Sequence, residues 1–167
     1  RAMVYIAHNF YSYPSKDLNM TGITGTKGKT SVVYFLKNIF DNELNKKTAF
    51  LSSINSYDGI SEKASELTTP EAVELVKALQ NAKSANCEYF TMEVSSQALK
   101  YNRTDQILFD VGAFLNIGID HISEIEHPNF QDYFNSKLLF SKQCKTFVVN
   151  LDMCLIDTVL ESIPEGV

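Results

Sequence analysis

The stretch Thr24-Gly25-Thr26-Lys27-Gly28-Lys29-Thr30-Ser31 decides the fold. Its two glycines let backbone N–H groups turn inward on phosphate oxygens, and the helix that follows adds positive potential at its N-terminus. Lys29 is spaced to reach terminal phosphates, and the hydroxyl of Thr30 to ligate Mg2+. The pattern is GxxGKT, shorter than GxxxxGK[ST], because five residues separate Gly22 from Gly28 and Ile23 stands at the four-spaced position. A glycine turn with an incidental lysine is the bland alternative. It does not account for strand, glycines, Lys-Thr and helix falling in the required order, and that order implies ATP binding.

Working outward, residues 18–24 read as a short buried strand and 29–44 as a helix through Val32, Val33, Leu36, Ile39 and Phe40. Upstream, residues 1–13 carry apolar positions at helical spacing and are punctuated by Pro14 and Ser15. Downstream, 48–53 is a strand, Asp58-Gly59 a turn, and Thr69-Pro70 the start of a helix to about residue 82 with Pro70 at its first position. Residues 89–94 and 107–115 are apolar enough for buried strands, 130–142 is helical, and 146–151 is a last strand. Strands alternating with helices predict an α/β fold, a mostly parallel sheet with flanking helices.

At 167 residues the chain is one domain with room for a substantial core. Its net charge of −5, with signs interspersed, argues against nucleic acid and against an anionic membrane surface. No apolar run reaches the length of a membrane span. Cys87, Cys144 and Cys154 are odd in number, far apart and set among apolar neighbours, which predicts reduced, buried thiols and a cytoplasmic protein. The chain opens at Arg1 without a methionine and reads as a piece of a longer protein.

Several ordered segments resemble the Mur ligase family, and most closely its tripeptide-synthetase branch. They are RAM and FYSYPS near the start, GITGTKGKTS at 22–31, TTPEAVEL at 68–75, EVSSQALKYNR at 93–103, LNIGIDH at 115–121, YFNSKLLF at 133–140 and VVNLD at 148–152. The resemblance covers nearly the whole chain. It implies a P-loop NTPase-like central ATP-binding domain at 16–167, with 1–15 the tail of a preceding substrate-binding module and the C-terminal ligase domain absent. The activity implied is ATP-dependent amide-bond formation, adding an amino acid to UDP-MurNAc-L-Ala-D-Glu in peptidoglycan precursor synthesis by a monomeric enzyme. The γ-phosphoryl group passes to a substrate carboxylate, and the resulting acyl phosphate is attacked by the amine.

The resemblance also implies residue roles. Gly25, Thr26, Lys27, Gly28, Lys29, Thr30 and Ser31 would hold ATP. Asn116 would contact adenine, with a turn asparagine equally open. Thr30, Glu93, His121 and Lys137 would hold Mg2+, Lys137 as a carbamate. The setting of Lys137 among Tyr133, Phe134, Leu138 and Phe140 could favour the neutral amine that reacts with CO2. Thr68, Thr69, Ser95 and Arg103 would contact the muramoyl-peptide, helix capping being the rival role for Thr69. Asn150 and Asp152 would give nucleotide-side support.

The chain also departs from that pattern. Gln97 replaces the usual histidine after EVSS, Gly118-Ile119 replaces Thr-Arg, and two extra residues lie between His121 and Lys137, in a loop containing His127-Pro128-Asn129. These changes touch substrate-facing positions more than the ATP site. They leave two rivals open: a relative acting on folate or another carboxylate, and a nucleotide-binding module without ligase activity. The isolated chain is expected to bind ATP weakly and to catalyse nothing, because the site for the incoming amino acid lies on another module.

Overall fold

The computed structural model describes residues 1–120, 122–123 and 125–167. Helix α1 (Ala2–Phe10) and a 3-10 turn at Pro14–Asp17 lead into β1 (Asn19–Thr24). After the phosphate loop, α2 (Lys29–Asn38) runs on through a wider turn at Ile39–Glu43. Then come β2 (Thr48–Leu51), β3 (Asn55–Tyr57), β4 (Glu62–Ala64), α3 (Ala72–Ser84) and β5 (Tyr89–Glu93). These are followed by α4 (Ser96–Lys100), β6 (Phe109–Phe114) and α5 (Phe130–Leu138). A 3-10 turn at Leu139–Gln143, β7 (Cys144–Val149) and α6 (Ile156–Glu161) complete the order.

One seven-stranded sheet has the order β4-β3-β2-β5-β1-β6-β7. The run from β2 to β7 is parallel, and β3 and β4 add an antiparallel edge. The chain leaves β1 outward to β2, returns to β5 beside β1, and then steps over β1 to β6. Strand order therefore reverses at β1, and open α/β sheets hold their ligands in the crevice beyond the carboxyl ends at such a reversal.

Side chains two apart on a strand share a face. Met20 of β1, Ala49 and Leu51 of β2, and Phe90 and Met92 of β5 pack with Leu75 and Leu79 of α3. On the opposite face Ile23, Phe50 and Val33 of α2 form a second cluster. A third joins Phe114 to Tyr133 and Phe134 of α5 and Val159 of α6. Both faces are covered by helices, which is why these strands read as apolar runs rather than alternating ones.

The structure departs from the sequence expectation at several places. The polar segment around Asp58-Gly59 is a hairpin, with the Asp58 carboxylate accepting from the N–H groups of Ile60 (3.0 Å) and Ser61 (2.8 Å). Its three-residue strands lack an apolar run and so gave no strand signal. Helix α3 begins at Ala72, and Pro70 lies before the cap residue Glu71 rather than at the first helical position. Cys87 and Cys144 are buried free thiols as expected, whereas Cys154 is exposed, because it lies in the turn before α6. Among the described residues no helix is long and apolar enough to cross a membrane.

Two glycines on the inner strands are demanded by packing. A Cβ on Gly22 would lie 2.5 Å from Phe140 Cζ, and one on Gly112 would overlap Cys144 Sγ and sit 3.0 Å from Phe147. Gly112→Ala is therefore expected to destabilise the fold by about 2 kcal/mol, lowering the unfolding midpoint by about 4–8 °C. An unchanged midpoint in thermal unfolding would show that β6 and β7 are less tightly packed than this.

Candidate functional site

The phosphate loop leaves β1 at the sheet's reversal and is braced by the segment after β6. Gly25 (φ +149°) and Gly28 (φ +86°) adopt conformations that side chains resist, and a Cβ on Gly25 would meet Leu115 at 3.2 Å. Leu115 N–H donates to Thr24 O at 3.0 Å. Asn116 Oδ1 accepts from Thr26 N (3.1 Å) and Lys27 N (2.9 Å), while its Nδ2 donates to Lys27 O (3.0 Å). The Asn116 side chain thus grips the loop backbone on both sides of Lys27; in this structure its amide holds the loop. Thr26 Oγ1 lies 3.0 Å from Tyr133 Oη and accepts from Gly118 N at 3.0 Å. Lys27 is exposed and pairs with Asp120 at 2.7 Å. Gly28 caps α2 without a side-chain bond, so no capping side chain occupies that helix start, and Ser31 is exposed on the first turn.

Two lysines converge on one carbonyl. Lys29 Nζ donates to Gly25 O (3.0 Å) and Thr26 O (3.2 Å). Lys137, on α5, donates to the same Gly25 O at 3.0 Å, lies 3.4 Å from Thr24 Oγ1, and has its ammonium 4.9 Å from the centre of the Tyr133 ring. Lys137 is only 2% exposed, and its partners among the described residues are neutral. Burial, reinforced by the charge on Lys29, holds the Lys137 amine well below the ordinary lysine range. Burial also lowers Lys29, while Glu93 acts in the opposite direction.

Glu93 ends β5, is 1% exposed, and accepts from Thr30 Oγ1 (2.7 Å) and Ser53 N (2.8 Å). Both of these hydrogen-bond donors are neutral, and the charge of Lys29 acts on it through space. The expected metal pair Thr30 and Glu93 is therefore in contact. No three His, Cys, Asp or Glu side chains converge among the described residues, and His121 lies outside them.

On the substrate side, Thr68, Thr69, Ser95 and Arg103 share one cavity of about 200 Å³ with Lys29 and Lys137. Gln97 lines it too. Thr69 Oγ1 donates to Glu93 O (2.9 Å) and accepts from Ser95 N (3.0 Å), so its hydroxyl ties β5 to the start of α4. Glu71 is the cap residue of α3, so that role does not fall to Thr69. Ser95 caps α4, accepting from Ala98 N at 3.1 Å. Arg103 donates to Thr69 O (3.2 Å) and pairs with Glu71 (2.5 Å), while its buried Nε has no partner among the described residues. Of the two altered positions, only Gln97 lines this cavity; Gly118 serves Thr26, and Ile119 is exposed. Asn150 donates to Leu115 O at 3.1 Å, behind the brace.

Sequence reasoning gave no role to Ser53, Ser96, His127 or Asp132, which depend on folding partners far apart in sequence. A larger cleft of about 490 Å³, lined by Lys16, Asp17, Asp110 and Lys145, lies at the amino ends of the strands, away from the loop.

Residues 23–165 match the Mur ligase middle domain. The UDP-N-acetylmuramoyl-L-alanyl-D-glutamate–L-lysine ligase of Enterococcus faecalis is 48% identical over 151 residues, 90% of this chain and 30% of that protein. The UDP-N-acetylmuramyl-tripeptide synthetase of Lactococcus lactis is 43% identical over 166 residues, 99% of this chain and 34% of that protein. The chain thus spans about a third of the length of the curated relatives it matches. Among solved structures, a UDP-N-acetylmuramoyl-L-alanyl-D-glutamate–2,6-diaminopimelate ligase superposes with TM-score 0.79 at 19% identity, over 93% of this chain and 32% of that one. Mycobacterium tuberculosis folylpolyglutamate synthase complexed with ADP gives 0.70 at 15%, over 95% and 43%, and shares the fold. With the family match spanning 23–165 and the relatives' identity extending over nine-tenths of the sequence or more, this chain belongs to the Mur ligase family, as a middle domain.

Proposed function

We propose that the chain is the nucleotide-binding middle domain of an ATP-dependent ligase that adds an amino acid to UDP-MurNAc-L-Ala-D-Glu. One observation carries this reading: the phosphate-loop lysine Lys29, the buried Lys137 and the substrate-side residues Thr68, Thr69, Ser95 and Arg103 open on the same cavity. A nucleotide's terminal phosphate and a peptide carboxylate can meet only in such a shared space.

The residues present fit Mg·ATP. Two lysine amines converge on one loop carbonyl, α2 starts on a glycine, and the Thr30–Glu93 pair offers oxygen ligands of the kind Mg2+ takes. Bound Mg2+ would neutralise charge on the transferring phosphoryl group. Lys29 would offset the same charge, and the Arg103 guanidinium, which lines the cavity, would orient the acceptor carboxylate. Attack by that carboxylate on the γ-phosphorus releases ADP and leaves an acyl phosphate. The amine then forms the amide as phosphate departs. Gly25, Thr26, Lys27, Gly28 and Ser31 would cradle the phosphates, and Asn116 would act on the nucleotide through the loop it holds. We assign Lys137 as the carbamylated lysine because its depressed basicity supplies the neutral amine that CO2 requires.

We also assign residues 1–15 to the junction with a preceding module. In α1, Val4 and Ala7 are buried on this domain, while Met3, Ile6 and Phe10 are 58%, 61% and 77% exposed, an apolar face suited to such a neighbour. A cytoplasmic, monomeric enzyme fits the reduced Cys87 and Cys144 and the negative charge.

Lys29→Ala is expected to weaken binding of Mg·ATP to this chain at least tenfold in calorimetric titration, and to abolish addition of an amino acid to UDP-MurNAc-L-Ala-D-Glu by the full-length protein. Unaltered Mg·ATP affinity would sink the loop assignment; ATP binding without extension of the muramoyl-peptide would sink the substrate.

The Lys137 amine gives a second test. A lysine whose folded pKa lies below its unfolded value opposes folding while protonated. Its stability contribution therefore rises with pH from the lowered folded value up to about 10.5. In CO2-free buffer, unfolding midpoints of this chain should climb with pH across that window relative to Lys137→Met, and bicarbonate should flatten the climb. Parallel profiles for the two proteins would refute the neutral-amine assignment.

A further inference from the structure

Four side chains with no role assigned above, of which Ser96 also lines the cavity, form a continuous set of contacts. His127, 0% exposed, has Nδ1 at 2.6 Å from Asp132 Oδ2 and Nε2 at 2.9 Å from Ser96 Oγ, with its ring edge-on to Tyr133. Lys100 Nζ lies 2.7 Å from the same Asp132 oxygen and donates to Glu126 O at 3.1 Å. An ionised carboxylate beside Nδ1 requires that nitrogen to carry the proton, so His127 donates to Asp132, and Nε2 and the Ser96 hydroxyl share the second hydrogen bond.

Two elements meet there. Ser96 and Lys100 stand four apart on α4, hence on one face, and Asp132 is in the first turn of α5. Helix α4 has independent anchors: Ala98 and Leu99 are buried in the core, and Ser95 caps it. The described residues of the loop between β6 and α5 have fewer. Ile122, Ser123 and Ile125 are exposed, and the turn closes through Ser123 N to His127 O (3.0 Å) and Glu126 N to Ser123 Oγ (3.1 Å). That same segment begins at Gly118 and Asp120, which hold Thr26 and Lys27 of the phosphate loop.

Resting on the ligase reading above, we propose that His127 is a positioning residue that clasps the loop after β6 to α4, so that the nucleotide side of the site takes its geometry from the substrate-side helix. Ser, His and Asp in this order also form a nucleophilic relay in hydrolases. Here Ser96 is 4% exposed and lies in the first turn of a buried helix, and its oxygen orients the imidazole.

The test uses His127→Asn and Asp132→Ala, neither of which lines the substrate cavity. In the full-length protein each should raise the KM for Mg·ATP about fivefold or more while leaving the KM for UDP-MurNAc-L-Ala-D-Glu within twofold. In this chain, calorimetry should show the same loss of Mg·ATP affinity. Amide hydrogen exchange should quicken at Ser123 and Glu126 at least tenfold, with Leu99 unchanged. Equal rises in both KM values, or a fall in kcat with a lowered unfolding midpoint and neither KM altered, would reduce His127 to a purely structural residue. Labelling of Ser96 by a fluorophosphonate would make it a nucleophile and overturn the clasp. If the wild-type protein does not extend the muramoyl-peptide at all, the substrate reading fails, while calorimetry and hydrogen exchange on this chain still decide the clasp.

Discussion

The rest of the site depends on one carbonyl oxygen. Gly25 O accepts from both Lys29 and Lys137 at 3.0 Å, so the two nitrogens are no more than about 6 Å apart. Two full charges at that separation repel by about 3 kcal/mol at an effective dielectric of 20. Burial disfavours the charged form of both, and more strongly that of Lys137, the more deeply buried, to which the charge on Lys29 adds. The two lysines are therefore not equivalent cations, and this asymmetry suits them to different chemistry.

Holding that carbonyl in place is the work of elements distant in sequence. The strand order puts β1 at the reversal, so the loop can be braced from the end of β6 and faced by Glu93 from β5. Asn116 makes three bonds to the loop backbone, each worth about 1 kcal/mol net. Tyr133 and Lys137, four apart on α5, reach the loop from the same helix face, one at Thr26 and one at Gly25. A shift of α5 along its axis would misplace both together.

This division of labour explains what the sequence disclosed. Glycines, Lys-Thr and the flanking apolar runs are local signals, and they led to the parallel sheet and the loop, while the ordered segments led to the family. The β3–β4 hairpin escaped because three-residue polar strands lack periodicity. The brace by Asn116 and the contacts of His127 escaped for another reason: each is defined by a partner between 5 and 90 residues away, and neither residue type nor spacing announces it. Thr69 shows the same limit. Its position in TTPE suggested ligand contact or capping; the cap residue is Glu71, and the Thr69 hydroxyl ties β5 to α4 from the wall of the cavity, a role that position in the sequence did not disclose.

Arg103 shows how the cavity can be stable and still receptive. Its partner Glu71 is 60% exposed, and an ion pair with so exposed a carboxylate contributes at most about 1 kcal/mol. Thr69 O and Glu71 fix the direction of the guanidinium, yet its buried Nε has no acceptor among the described residues. A buried donor without an acceptor costs about 1–3 kcal/mol, and more on a charged group. The guanidinium, which lines the cavity, is thus held by one backbone carbonyl and one weak ion pair, and it keeps hydrogen-bonding capacity that a carboxylate in the cavity could use.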